Sequence, residues 1–267
     1  MEKMIATAVS LAIFITWETL RPFFSFGARH WFRGVSNALV GLTNTVLGRL
    51  LFSGVYAWTF SVFPADRVGL LGLFTMPFWA EIALTILLLD LWSYWWHRFN
   101  HTILFLWRFH RAHHTDTEMG ATTAYRFHPV EIIFSSVLRL PLILILGLRP
   151  EGLLLYESIL TVSVTFHHAN IGIGARADAA VRTFIVSPVM HKLHHSVKPG
   201  EFSSNYSSIL SLWDRLFGTW TETDKPHEIR LGLAIYRDKW WQSYWGILLT
   251  PFKGSASAPR RPAGLDA

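Results

Sequence analysis

One stretch constrains this chain more than any other. From Val68 to Trp96 it runs 29 residues with only Glu81 and Asp90 charged. Wound as a helix at about 1.5 Å per residue, it would reach about 43 Å, longer than a ~30 Å hydrocarbon core. Further apolar runs cover Met4–Trp17, Val35–Phe63 (interrupted by Arg49), Ile132–Leu148 and Leu153–Phe166, the last two flanking the turn Leu148-Arg-Pro-Glu-Gly152. Charged residues make up 16% of the chain and hydrophobic ones 51%, whereas soluble domains carry about a quarter charged. These runs predict an all-α membrane protein with four or five hydrophobic helices, about 3–20, 35–63, 68–96 and a hairpin over 131–169 that spans or dips into the membrane. A polar helical cap is expected over 97–129 and 171–250, giving one domain over 1–250. The tail 251–267 has the composition of disorder.

The start, Met-Glu-Lys before an apolar run, looks like a signal peptide. No small-residue cleavage site follows it, because Trp17-Glu-Thr-Leu-Arg-Pro22 comes instead, so a retained first helix is expected. With the N-terminus outside, Lys3, Arg67 and Arg149 face outward and Arg49 and Arg139 lie inside apolar runs. The other 19 of 24 basic residues then face the cytoplasm. The positive-inside bias therefore puts the cap and C-terminus in the cytoplasm. The basic residues form no dense run or recognition motif, which argues against nucleic acid and for anionic headgroups. With no cysteine, disulfides, thiolate zinc sites and iron–sulfur clusters are excluded. Any metal must be held by nitrogen or oxygen.

Histidine supplies that nitrogen. His97 and His101 stand four apart in YWWHRFNH; His110, His113 and His114 occur in WRFHRAHHTD; His191, His194 and His195 repeat the second spacing in MHKLHHS. Residues i, i+3 and i+4 share a helix face, so each cluster can aim its imidazoles one way. A lone histidine is usually a satisfied polar residue, but eight of thirteen fall in three five-residue windows. Eight imidazoles exceed the four ligands of one zinc, which implies two ions. Imidazole suits Zn, Fe, Cu and Ni alike, and neither HExxH nor the Glu-x-x-His pair of carboxylate di-iron bundles is present. A metal cluster where membrane helices emerge suits oxygen-dependent attack on a lipid C–H bond, which zinc cannot drive.

The chain resembles the fatty acid hydroxylase and sterol desaturase superfamily of membrane di-iron enzymes from about Trp17 to Thr219. The three histidine boxes carry the likeness, with LDLWSYWWHR, LWRFHRAHHTD, TTAYRFHPVE, FHHANIG and SNYSSILSLWDRLFGTW around them. The resemblance implies two iron ions that activate O2, the eight box histidines as ligands, and electrons from a separate protein of the cytochrome b5-like, ferredoxin or reductase kind. It adds His168, in His168-Ala-Asn170, as a ligand, and His128, before Pro129, as a candidate; His167 reads as a supporting neighbour. Each ligating ring needs an acceptor for its other N–H, and Asp90, Asp116, Asn170 and Asp214 are the candidates for support. Asp214 could equally form a helix-terminal salt bridge with Arg215. The substrate implied is a lipid, hydroxylated or desaturated. A carotenoid or ether-lipid hydroxylase on the same core, a non-redox dimetal hydrolase and a metal transporter remain as alternatives.

Overall fold

The computed structural model describes residues 2–64 and 69–254, so positions 255–267 of the expected disordered tail lie outside the described residues. Eleven α-helices follow in order among these: α1 (Glu2–Leu20), α2 (His30–Val62), α3 (Phe78–Thr102), α4 (Leu104–His114), α5 (Pro129–Leu146), α6 (Pro150–His168), α7 (Ala175–Val181), α8 (Pro188–His194), α9 (Pro199–Phe202), α10 (Leu212–Leu216) and α11 (Tyr244–Leu249). Only three isolated β-bridges accompany them among the described residues, so the chain is all-α. Helices α1, α2, α3 and α5 are each long and apolar enough to cross a membrane. Their outward faces leave large apolar side chains such as Leu42, Leu50, Val137 and Ile145 exposed, the pattern of surfaces built for lipid.

The 29-residue run is not one helix. Gly69 sits at φ 83°, a single turn covers Leu71–Leu73, and α3 starts only after Pro77, whose extended backbone caps it. A left-handed glycine and a proline break the helix where the apolar pattern alone does not. At its other end α3 runs past Trp96 to Thr102, so His97 and His101 belong to this helix and not to a cap that begins at residue 97. Likewise α2 starts at His30, five residues before the apolar run.

The hairpin forms as expected. Gly147 ends α5 in the left-handed conformation (φ 70°), and Pro150 opens α6. Helix α6 packs against α1, α3 and α8, while α2 packs on α5. Gly152 permits the α6–α3 approach, since a Cβ there would lie 2.9 Å from the Thr85 methyl. Several charges in or beside the apolar runs are paired: Glu157 takes both Lys3 and Arg139, joining α1, α5 and α6, and Arg149 meets Glu81 at 2.7 Å. Ion pairing is the usual condition for charges at such depth.

The helices alternate in direction. The end of α1, the start of α2, the end of α3, the start of α5 and the end of α6 all meet at one pole, where the polar segments gather. The Arg149–Glu81 pair marks the opposite pole.

Candidate metal centre

Four elements deliver histidines to the polar pole. Helix α3 carries His97 and His101 on its last turns. The chain breaks at Ile103 and restarts as α4, whose end carries His110, His113 and His114. Helix α6 ends in His167 and His168. Helix α8 carries His191 and His194, with His195 at its C-terminus. The Ser187 hydroxyl caps its start by accepting from the Met190 N–H and donating to Asp178, and Pro188 takes the first position.

Nine rings converge into two sets. His97, His101, His110, His114 and His194 form one, and His113, His168, His191 and His195 the other; within each set the ligand nitrogens lie within 4.8 Å of one another. Both triplets are thus divided. His110 and His114, one turn apart, serve the first set while His113 turns to the second. In α8 the division is reversed, with His191 and His195 in the second set and His194 in the first. The single-face reading of each triplet did not foresee this split.

The donor chemistry fits cations. His97 Nδ1–H donates to the Tyr206 carbonyl (2.8 Å) and His194 Nδ1–H to that of Ser204 (2.6 Å). Both Nε2 atoms therefore present lone pairs, and they face each other at 3.1 Å. His168 Nδ1–H donates to the Val164 carbonyl (2.7 Å), which leaves its Nε2 lone pair 3.1 Å from His113 Nε2 and 3.0 Å from His191 Nε2. Lone pairs so opposed repel unless a cation lies among them. Both nitrogens of His101, and Nε2 of His110 and His114, are buried with no hydrogen-bond partner among the described residues, an arrangement native interiors avoid unless a ligand completes it. Burial first, and neighbouring rings next, push His113, His114, His191 and His195 well below the usual histidine range; burial takes His194 to about 3. The rings are accordingly neutral at physiological pH, the state in which imidazole binds metal. No carboxylate belongs to either set among the described residues.

His128 stands apart from both sets. Its Nδ1 accepts from the Val130 N–H to cap α5 (3.2 Å), its Nε2–H donates to the Leu248 carbonyl (3.2 Å), and its ring packs 5.2 Å from Phe109. The proline aims it along the helix start, away from the other rings. His167 lies 4.0 Å, ring to ring, from His191 but outside both sets.

The carboxylates expected to accept from imidazoles act at one remove. Asp90 binds the backbone N–H groups of Ile209 and Leu210 and the Trp213 indole; Asp214 binds those of Tyr206 and Ser207 and the Thr219 hydroxyl. Together they fix the 204–214 segment, whose carbonyls hold His97 and His194. The Asp214–Arg215 alternative is absent, since the Arg215 guanidinium binds the Thr183 and Arg182 carbonyls. Asp116 takes Arg33, Asn37 (2.9 Å) and Thr123 (2.8 Å), which ties the end of the second box to α2. Burial raises the Asp116 carboxyl, but Arg33 and then Arg126 outweigh it and hold it well below the usual range. Asn170 exchanges two hydrogen bonds with Phe24 and fastens the α1–α2 loop.

Sequence reasoning missed three supports. Glu131 accepts from His110 Nδ1 at 2.8 Å; the available signal was a carboxylate in the first turn of an otherwise apolar helix. Glu18 accepts from the backbone N–H groups of Ala121 and Asn170 at 2.9 and 2.8 Å. Lys192, between two box histidines, is fully buried and donates to the Ala169 carbonyl at 2.7 Å, and burial lowers it to about 7.

Histidine sets of this kind at the pole of a membrane helix bundle define a metal-binding membrane protein. The chain belongs to the fatty acid hydroxylase family, whose profile matches residues 82–219, a span that holds all three boxes and His168. Among curated proteins it is similar to the alkylglycerol monooxygenase of Danio rerio, at 27% identity over 67% of this chain and 43% of that one. The ornithine lipid hydroxylase of Rhizobium tropici is 29% identical over 59% of this chain and 47% of its own. Sphinganine C4-monooxygenase 1 of Arabidopsis thaliana is 25% identical over 52% and 54%. The aligned part is about half the length of these relatives. No solved structure matches the chain.

Proposed function

We propose that this protein is an O2-dependent oxidoreductase that holds two iron ions and hydroxylates a lipid, with electrons from a separate donor protein. The observation that carries this reading is the pairing of two all-imidazole sets, almost wholly buried and mutually facing, at the pole of an apolar helix bundle. Iron bound there supplies the redox chemistry for reducing O2 and oxidising a C–H bond, which zinc lacks. His97, His101, His110, His114 and His194 hold one ion and His113, His168, His191 and His195 the other. The Tyr206, Ser204 and Val164 carbonyls and the Glu131 carboxylate keep the Nδ1 protons of His97, His194, His168 and His110, so each Nε2 faces inward as a donor. Neutral nitrogen ligands would leave each ion its full charge, which would favour its reduced form and so its acceptance of electrons from the donor. Burial of eight of the nine rings excludes bulk water from the reacting methylene.

The relatives named for alkylglycerol, ornithine lipid and sphinganine substrates support hydroxylation over desaturation, on a chain that carries a polar headgroup. The distribution of Lys and Arg supports a cytoplasmic polar pole, where the donor would dock on basic surface.

The test is turnover by the iron-loaded protein in lipid with a chemical or protein reductant. The expected product carries one added oxygen that derives from 18O2. Equal turnover without O2, or with zinc in place of iron, overturns the oxygenase reading in favour of a hydrolase.

A further inference from the structure

Beside the metal centre lies a cavity of about 220 Å³ that the histidines do not use. It is bounded by the α1–α2 loop, the segment after the second box, and the strap near Leu231. Its apolar floor is Phe24, Met119 and Leu231. Met119 packs with Leu193, which sits between His191 and His194 on α8, so the floor abuts the metal centre. Asn170, two residues after His168, closes one wall.

The rim is cationic. Arg230 and Arg237 both line the cavity, and neither meets a carboxylate within 4 Å among the described residues. Arg237 Nη1 donates to the Leu231 carbonyl at 2.9 Å, which holds its guanidinium at the opening. Arg230 is exposed and Arg237 half-buried. Burial first, and the charge of Arg230 second, lower Arg237, so the two guanidiniums repel one another across the opening. The Ser25 and Thr117 hydroxyls on the same wall make no hydrogen bond to other described residues. Glu118 also lines the cavity, but its carboxylate is already engaged by Arg33 Nη2 (2.8 Å) and the Gly27 N–H (3.2 Å).

We propose that this cavity binds the phosphate or carboxylate of a lipid headgroup, and so selects lipids with an anionic headgroup as substrates of the adjoining centre. Two guanidiniums line one cavity, and each is a planar donor fork suited to multidentate recognition of phosphate or carboxylate. The volume takes a phosphate with a small polar appendage and no acyl chain. The loop that forms one wall, Phe24–Phe26, joins the ends of α1 and α2, two helices long and apolar enough to cross a membrane. A lipid anchored there has its chain on the apolar bundle and its near methylenes toward the metal centre. The use in turnover rests on the lipid-hydroxylase reading; the binding does not.

The test measures affinity of the full chain, metal-loaded and in nonionic detergent, for dioctanoyl phosphatidylglycerol and for dioctanoylglycerol, by isothermal titration. The expected result is phosphatidylglycerol binding about tenfold or more tighter than the neutral lipid. Arg230→Gln, and the pair Arg230→Gln with Arg237→Gln, should lose that preference and keep their metal and unfolding temperature; Lys at both positions should restore part of it. Competition by millimolar inorganic phosphate would extend the site to free anions, and its failure would assign the site to the headgroup; either supports an anion site. Equal affinity for the two lipids, or an undiminished preference in the double Gln variant, overturns the proposal. Because binding is read without turnover, a protein that binds anionic lipid but never oxidises it would contradict the oxygenase reading and leave the site standing.

Discussion

Asp116→Asn is the single substitution whose cost the structure defines best. Asp116 is 1% exposed and Arg33 3%. The carboxylate accepts from Arg33, Asn37 and Thr123 at once, and Arg126, fully buried nearby, is bonded to Asn37 at 2.8 Å. Asparagine has the same shape, but it removes the charge and turns one acceptor into a donor that faces donors. Arg126 is then left without a compensating anion, and Arg33 keeps only the partly exposed Glu118 at 2.8 Å. Breaking a buried pair by neutralising one partner costs about 3–5 kcal/mol. For a chain of this size that corresponds to about 6–20 °C in the unfolding midpoint. The assay is thermal unfolding in detergent, followed by tryptophan fluorescence, with metal present at fixed excess. The sign of the pH dependence also follows. A carboxyl held below its unfolded pKa stabilises the fold above that unfolded value, about 3.9, and loses the effect as pH falls through the folded value. The deficit of the variant should therefore stay constant from pH 8 to pH 5. A midpoint shift under 2 °C, or a deficit that disappears by pH 6, would refute the reasoning.

Three further outcomes are expected. Glu131→Ala frees the Nδ1 proton of His110 and should weaken metal retention about 10–100-fold in competitive dialysis, with Glu131→Gln losing less because its amide oxygen still accepts; equal losses in both would speak for a packing role alone. His128→Ala should keep full metal content and lose about 1 kcal/mol from the α5 cap, so metal loss in elemental analysis would bring His128 back as a ligand. Metal-free protein should lose stability steeply as pH falls below about 6.5, because histidines neutral in the fold take up protons on unfolding; the unfolding midpoint should be clearly lower at pH 5.5 than at pH 7.5, and equal midpoints at these two values would mean that the rings are not held neutral.

The sequence made the apolar helices and the histidine boxes legible because both are local patterns. A run of apolar residues declares a membrane helix without reference to any neighbour, and i, i+3, i+4 spacing declares a shared face. What stayed hidden depends on contacts between distant segments. The division of each triplet between two sets is decided by which rings α3, α6 and α8 bring to meet it, and a reading of one helix at a time has no access to that. Nothing local marks Glu131 and Glu18 as supports, since their partners, His110 and the Ala121 and Asn170 backbone, lie far away in sequence. The break in the third apolar run was visible in Gly69 and Pro77, but hydropathy outweighed them. His128, a candidate ligand by its place before Pro129, caps α5 and bonds the Leu248 carbonyl, contacts that only the fold reveals.

The two histidine sets cut across the boxes, and paired substitutions with metal counting ask whether the ions follow the sets or the boxes. His113→Ala with His191→Ala removes two rings from one set and should leave about half of the bound metal, counted per chain by mass spectrometry. His191→Ala with His194→Ala, both from one box, strikes both sets and should leave almost none. If the single-box pair retains half of the metal while the first pair loses all of it, each box serves its own ion, and the two-set account is contradicted.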